Sequence, residues 1–150
     1  VRKKLLLLSA AVLALALVVV PAANAAYISV TAKYSVTDMC RTAPDTLSYR
    51  FQFTAKVVRS GVPKPSKVRI GYQVLDASNL QVLGSGVTNL YASKRYKAKS
   101  KRVSAKAGQQ LNYHFNMSYR VAGMKRGAKL SDTDSIPSVE QMDQYKVPYC

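Results

Sequence analysis

The sequence predicts an all-β domain: an antiparallel β-sandwich of about seven strands, with a small β-barrel as the alternative arrangement. Two observations carry this reading. Apolar and polar residues alternate with period two through most of the chain after residue 26, the pattern of half-buried strands with one wet face. Turn-forming residues separate the alternating runs at regular spacing, while helical stripes are absent outside the N-terminal segment.

That segment comes first. Arg2, Lys3 and Lys4 precede an apolar run of 16 residues, Leu5 to Val20, interrupted only by Ser9. Pro21 then stops any helix, and Ala23-Asn24-Ala25 has the small-residue form of a cleavage site. The order predicts a secretory signal peptide over residues 1–25, cleaved to leave one domain over residues 26–150. The competing reading is an uncleaved anchor, because 16 helical residues reach roughly 24 Å into a ~30 Å hydrocarbon core. No later stretch is long and apolar enough to cross a bilayer. The expected location is therefore secreted or extracellular, with no stable membrane insertion after cleavage.

The strands follow in order. Ile28, Val30, Ala32, Tyr34 and Val36 face one way, against Ser29, Thr31, Lys33 and Ser35. After Pro44-Asp45, the residues Leu47, Tyr49, Phe51, Phe53, Ala55 and Val57 repeat the pattern. A Gly- and Pro-containing loop, residues 60–65, leads to Val68, Ile70, Tyr72 and Val74. A short Leu80 to Leu83 strand is expected between Ala77-Ser78-Asn79 and a Gly84-Ser85-Gly86 turn. The clearest late run is Leu111, Tyr113, Phe115, Met117, Tyr119 and Val121. From about residue 124 the alternation fades into a loop-rich segment, with a short closing strand near Tyr145 to Val147. The pattern is similar to immunoglobulin- and fibronectin-type domains in architecture only, because Trp is absent and the Cys-Trp-Cys signature with it.

Residues 47–57 align without gaps to residues 111–121, sharing Leu, Tyr, Phe and Val at matching places. Duplication at a 64-residue offset would produce this. So would two central strands facing one core, which is the preferred account.

Cys40 and Cys150 are the only cysteines. Export to an oxidising space makes an intramolecular Cys40–Cys150 disulfide the expected state, since two cysteines permit just one such pairing; unpaired cysteines or an intermolecular bridge through Cys150 are the alternatives. Two cysteines and a single histidine do not supply a closed zinc shell, and no metal or other cofactor is expected.

Charge is the most pronounced compositional feature. The chain carries 23 Lys+Arg against 7 Asp+Glu. Removing Arg2, Lys3 and Lys4 leaves 20 basic residues and a formal +13. Eleven of them lie between Ala77 and Ser131, a stretch without one carboxylate. The densest part comprises Lys94, Arg95, Lys97, Lys99, Lys101 and Arg102, continued by Lys106. If extended, Arg95, Lys97, Lys99 and Lys101 project from one face at intervals of roughly 6.6–6.8 Å.

Such a row suits an anionic polymer or surface: teichoic acid, acidic glycan, anionic lipid or extracellular DNA. It equally suits an edge strand protected by lysines, or a row covered by the acids at Asp132, Asp134, Glu140 and Asp143. Catalysis finds little to build on. His114 alternates with the apolar face and should point to solvent, G-x-S-x-G is absent, and no two carboxylates are marked as partners. The expected function is thus a non-enzymatic binding module. The alternative is a protein–protein interaction module (inhibitor, toxin or adhesin subunit) whose charge serves solubility.

Overall fold

A computed structural model describes residues 26–150 and, as backbone only, residues 11–20. Arg2, Lys3 and Lys4 and the Ala23-Asn24-Ala25 motif, read in the sequence as parts of a signal peptide, lie outside the described residues. The alternating runs pair into two antiparallel sheets. Sheet A runs β1 (Ala11–Val20), β2 (Ala26–Ala43), β3 (Thr46–Ser60), with the short β6 (Lys97–Lys99) and β7 (Val103–Lys106) both pairing with β3. Sheet B runs β5 (Val82–Tyr91), β4 (Lys67–Asp76), β8 (Gln110–Val121), β9 (Met124–Ser135). No strand pairs between the sheets among the described residues, so the architecture is a sandwich and not a closed barrel.

Several expectations are corrected. Residues 11–20 form an extended edge strand whose register runs from Ala11 opposite Tyr34 to Val20 opposite Ala26. An all-apolar run has no periodicity to separate strand from helix, and Val18 to Val20 favour extension. Gly84-Ser85-Gly86 lies inside β5 rather than in a turn. Gly86 stands opposite Tyr72, and a Cβ on it would sit 2.6 Å from the Tyr72 hydroxyl. Its lack of a side chain makes room for that ring. The segment after Gly123 continues as β9, an edge strand whose inward residues, such as Ala128 and Leu130, are only half-buried. That weak contrast is why its alternation is faint.

No closing strand forms at Tyr145 to Val147; these residues turn out of a preceding helix, α1 (Val139–Gln144), started by a capping box. The Ser138 hydroxyl accepts from the Gln141 amide, and the Gln141 side chain accepts from the Ser138 amide. Met142 is its buried anchor. Beyond it the chain makes only a single parallel bridge, Arg41 to Tyr149.

β3 and β8, the two similar runs, are central strands of opposite sheets and face each other across the core. Phe51 meets Tyr113 and Phe115 edge-on, with ring centroids 5.0 and 5.3 Å apart. The Tyr49 and Tyr113 hydroxyls lie 3.1 Å apart in the buried interior. Tyr34 adds an edge-on contact to Phe51 and donates to Asp132, linking sheet A to β9.

The C-terminal segment is strapped to β2. Cys40 and Cys150 form a disulfide that closes a sequence separation of 110 residues. Next to it, Arg41 is buried. Its guanidinium donates to Asp143 at 2.6 Å and to the Val147 carbonyl at 3.2 Å, and it lies 4.9 Å from the Tyr149 ring centre. Among the described residues, no helix is long and apolar enough to cross a membrane.

Two predictions follow from these contacts. Reducing the disulfide should lower the unfolding free energy by about 2–5 kcal/mol, measured by urea denaturation with and without reductant. Burial also raises the phenols of Tyr49 and Tyr113 well above their ordinary range. A raised folded value means that this contribution is complete below about pH 10 and is lost as pH climbs past it. Stability should fall by about 1.4 kcal/mol per pH unit for each phenol ionised only in the unfolded chain. Tyrosinate absorbance followed with circular dichroism should show this pair ionising only as the sheet signal disappears, with the coincident step smaller by two phenols in Tyr49→Phe/Tyr113→Phe.

Candidate polyanion-binding surface

The structure divides the contiguous basic run into three parts. Tyr91 ends β5, and a single 3-10 turn over Ala92–Lys94 follows. Arg95 and Tyr96 then adopt positive φ, 56° and 53°. The Tyr96 hydroxyl is drawn inward to donate to the Pro65 carbonyl at 2.5 Å. Lys94 and Arg95 are therefore exposed on a turn, not aligned with the lysines that follow. The middle part, Lys97–Lys99, pairs with β3 through Gln52, Phe53 and Thr54. Ser100 interrupts it: the side chain is buried and accepts from the Phe51 amide at 2.9 Å. The third part carries Lys101, Arg102 and Lys106, with Arg102 and Lys106 flanking most of β7. The single extended face expected from the sequence is thus broken at both Arg95 and Ser100.

Part of the run is matched by acid, though not by the tail. Asp38 accepts from Lys99 Nζ at 2.9 and 3.2 Å, and its carbonyl accepts from Arg102 at 2.9 Å. The Lys99 hydrogen bond holds the Asp38 carboxyl below its usual range. Lys106 Nζ lies 3.5 Å from Asp45, whose carboxyl is also lowered, chiefly by the Thr46 hydroxyl. Among the proposed covering acids, Asp143 pairs with Arg41 and Asp132 with Tyr34. Lys97, Lys99 and Lys106 therefore decorate the edge of sheet A, a placement that also discourages edge-to-edge association.

Strand topology sorts the remaining charge. β2 reverses into β3 at Asp45, β4 into β5 beyond Asp76, and β9 ends beyond Asp134. Residue 107 bonds to Asp45, residue 77 to Gln110, and Ile136 to Gln109, so these ends share one pole of the sandwich. Asp38, Glu140 and Asp143 lie there too, through the disulfide and Arg41. Asp132 is on the same half of β9, opposite Tyr113. All seven carboxylates of the chain consequently lie toward the disulfide pole.

The other pole contains the start of β4, the end of β5 and the β8–β9 hairpin. Arg120 stands opposite Lys125, and Lys67 opposite Tyr91, on the outer face of sheet B. Arg69 stands between Asn89 and Ser118 on that face. The Ala92 amide bonds to the Ser66 carbonyl, placing Lys94 and Arg95 at this same end. No contiguous run announced Lys67, Arg69, Arg120 and Lys125, because three different strands supply them. The outward parity of those strands was the available signal.

His114 is on the outer face as expected, exposed and 3.2 Å from the Ser131 hydroxyl. No group of three or more His, Cys, Asp or Glu residues among the described residues could hold a metal ion. No protein-family model, curated protein or solved structure matches the chain.

Asp38 has φ 54°, a conformation Asn tolerates. Asp38→Asn should release Lys99 without straining the bulge of β2. The variant should elute from phosphocellulose at higher salt than the wild type.

Proposed function

We propose that the chain is a secreted, non-enzymatic binding module that attaches by electrostatics to an anionic cell-envelope or extracellular polymer. Teichoic acid, acidic glycans and extracellular DNA share the required chemistry. The observation that carries this reading is the carboxylate-free pole, an end of the sandwich that Lys94 and Arg95 share with Lys67, Arg69, Arg120 and Lys125. Cations grouped without acid repel one another and gain when an anion replaces diffuse counterions. The leader-like N terminus and the Cys40–Cys150 bond support export to an oxidising compartment.

In this reading the residues of the basic run carry two different weights. Lys94, Arg95, Lys97 and Lys101 contact the polymer directly. Lys99, Arg102 and Lys106 contribute as a band already tempered by Asp38 and Asp45. The alternative, a protein-binding module, would place the contact on a sheet edge or loop and make it insensitive to salt.

Binding to duplex DNA or heparin should weaken steeply with salt. For duplex DNA, the log–log slope should lose about 0.9 per phosphate contact removed. Replacing Lys97, Lys99 and Lys101 by Ser should flatten the slope modestly, and replacing Lys94, Arg95 and Lys67 by Ser should flatten it more. Retention unaffected by either triple replacement, or insensitive to salt, would remove the basis for this function.

A further inference from the structure

The outer face of sheet B near the carboxylate-free pole is a trough rather than a flat surface. Two contiguous depressions share Arg69, Ser118 and Lys125, with volumes of about 240 and 600 Å³. No acid lines either one. The trough floor is low because Gly127 stands opposite Ser118 and Gly71 opposite Asn116. Glycine at 127 is enforced, since a Cβ there would sit 2.5 Å from the Met117 carbonyl oxygen. Exposed Lys67, Arg69, Arg120, Lys125 and Lys129 form the rim.

Toward the middle of the sheet the same face changes character. Gln73 stands opposite His114, and His114 opposite Ser131. Ser85 completes this row beside Gln73. These side chains are exposed, and the depression containing Gln73 and His114 again has no acid. One continuous surface therefore passes from cationic to neutral hydrogen-bonding groups within a few strand residues.

We infer that this trough binds a sugar chain bearing anionic groups, whether carboxylate, sulfate or phosphate. This assignment rests on the polyanion-binding reading above and gives it a ligand class. Charge selects the anionic groups at the rim, but charge alone would not distinguish a glycan from polyphosphate. The floor makes that distinction. The Asn116 and Gln73 amides and the Ser118 and Ser131 hydroxyls both donate and accept hydrogen bonds. Sugar hydroxyls match both roles, whereas an ionised polyphosphate chain, having acceptors only, engages the donors and leaves the accepting capacity of the floor unused. Single-stranded nucleic acid fits less well, because base stacking needs a platform of aromatic side chains. On this face only Tyr91, at the rim beside Lys67, is aromatic and outward.

The experiment compares the full chain and two surface variants by titration calorimetry at low and physiological salt. The probes are a sulfated heparin oligosaccharide, a polygalacturonate oligosaccharide, polyphosphate of matched charge and single-stranded DNA. The wild type should bind at least one acidic oligosaccharide at least about tenfold more tightly than polyphosphate. Asn116→Ala/Ser118→Ala, which leaves every charge in place, should abolish that preference while retaining salt-dependent polyphosphate binding. Arg69→Gln/Lys125→Gln should weaken all probes, with unchanged circular dichroism showing that the fold is intact.

Equal affinity for polyphosphate and both oligosaccharides, or a preference unmoved by the floor variant, overturns the glycan assignment but leaves polyanion binding standing. Preference for single-stranded DNA overturns it in favour of nucleic acid. Failure of every probe to bind removes the polyanion function itself.

Discussion

The contact between β3 and β8 is the constraint on which the rest of the molecule depends. Phe51 lies at its centre, within aromatic contact distance of Tyr34, Tyr49, Phe53, Tyr72, Tyr113 and Phe115. Edge-on pairs of this kind add about 0.5–1.5 kcal/mol each beyond the area they bury. Only one alignment of the sheets lets these rings interleave while the Tyr49 and Tyr113 hydroxyls satisfy each other. A neighbour moved by one residue would turn its core residues to solvent. The aromatic contact therefore fixes which residues of sheet B form the outer face, and so the trough.

Charge segregation is a consequence of that alignment. Each strand crosses the sandwich from one pole to the other, so position along a strand becomes position along one axis. Arg69 on β4, Arg120 on β8 and Lys125 on β9 are far apart in sequence but lie near the same level, as the pairings Arg69–Ser118 and Arg120–Lys125 show. The acids lie toward the opposite level. From Lys125 to Asp132 along β9 is seven residues, roughly 23 Å at strand rise.

Much of this was legible in the sequence. The alternating faces of β2, β3, β4 and β8 appear with their core residues as read, because strong contrast on a two-residue period leaves no other amphipathic structure. The Cys40–Cys150 pair was also legible, since two cysteines allow one bond within the chain. β9 was not, because an edge strand with a polar inner face lacks that contrast. The buried Arg41 escaped detection for a different reason. Its partners Asp143 and Val147 lie over 100 residues away, and nothing local marks an arginine that will be buried. α1 had a signal in Ser138-x-x-Gln141, the capping-box spacing, but too few helical residues to show a stripe. For the candidate surface, the contiguous run was conspicuous and the trough cations were not. Sequence proximity reveals charge density along one strand, whereas density across strands requires register.

The relation between the basic run and the carboxylate-free pole turns on screening. At physiological ionic strength the screening length is about 8 Å. Lys99 and Lys106 lie within one such length of Asp38 and Asp45 in direct contact, so a polyanion approaching there would meet a partly neutralised band. Lys125 is separated from Asp132 by nearly three. The acids at the disulfide pole therefore subtract little from the field at the other pole, and the formal charge of the chain understates the local attraction there. On the proposed function, a long anion would be drawn first to the end holding Lys67, Arg120 and Lys125, with the C-terminal helix and the disulfide pointing away. That orientation would leave the outer face of sheet B lying along the incoming polymer. It would bring the neutral hydrogen-bonding row beyond Arg69 within reach once the rim had captured the charge.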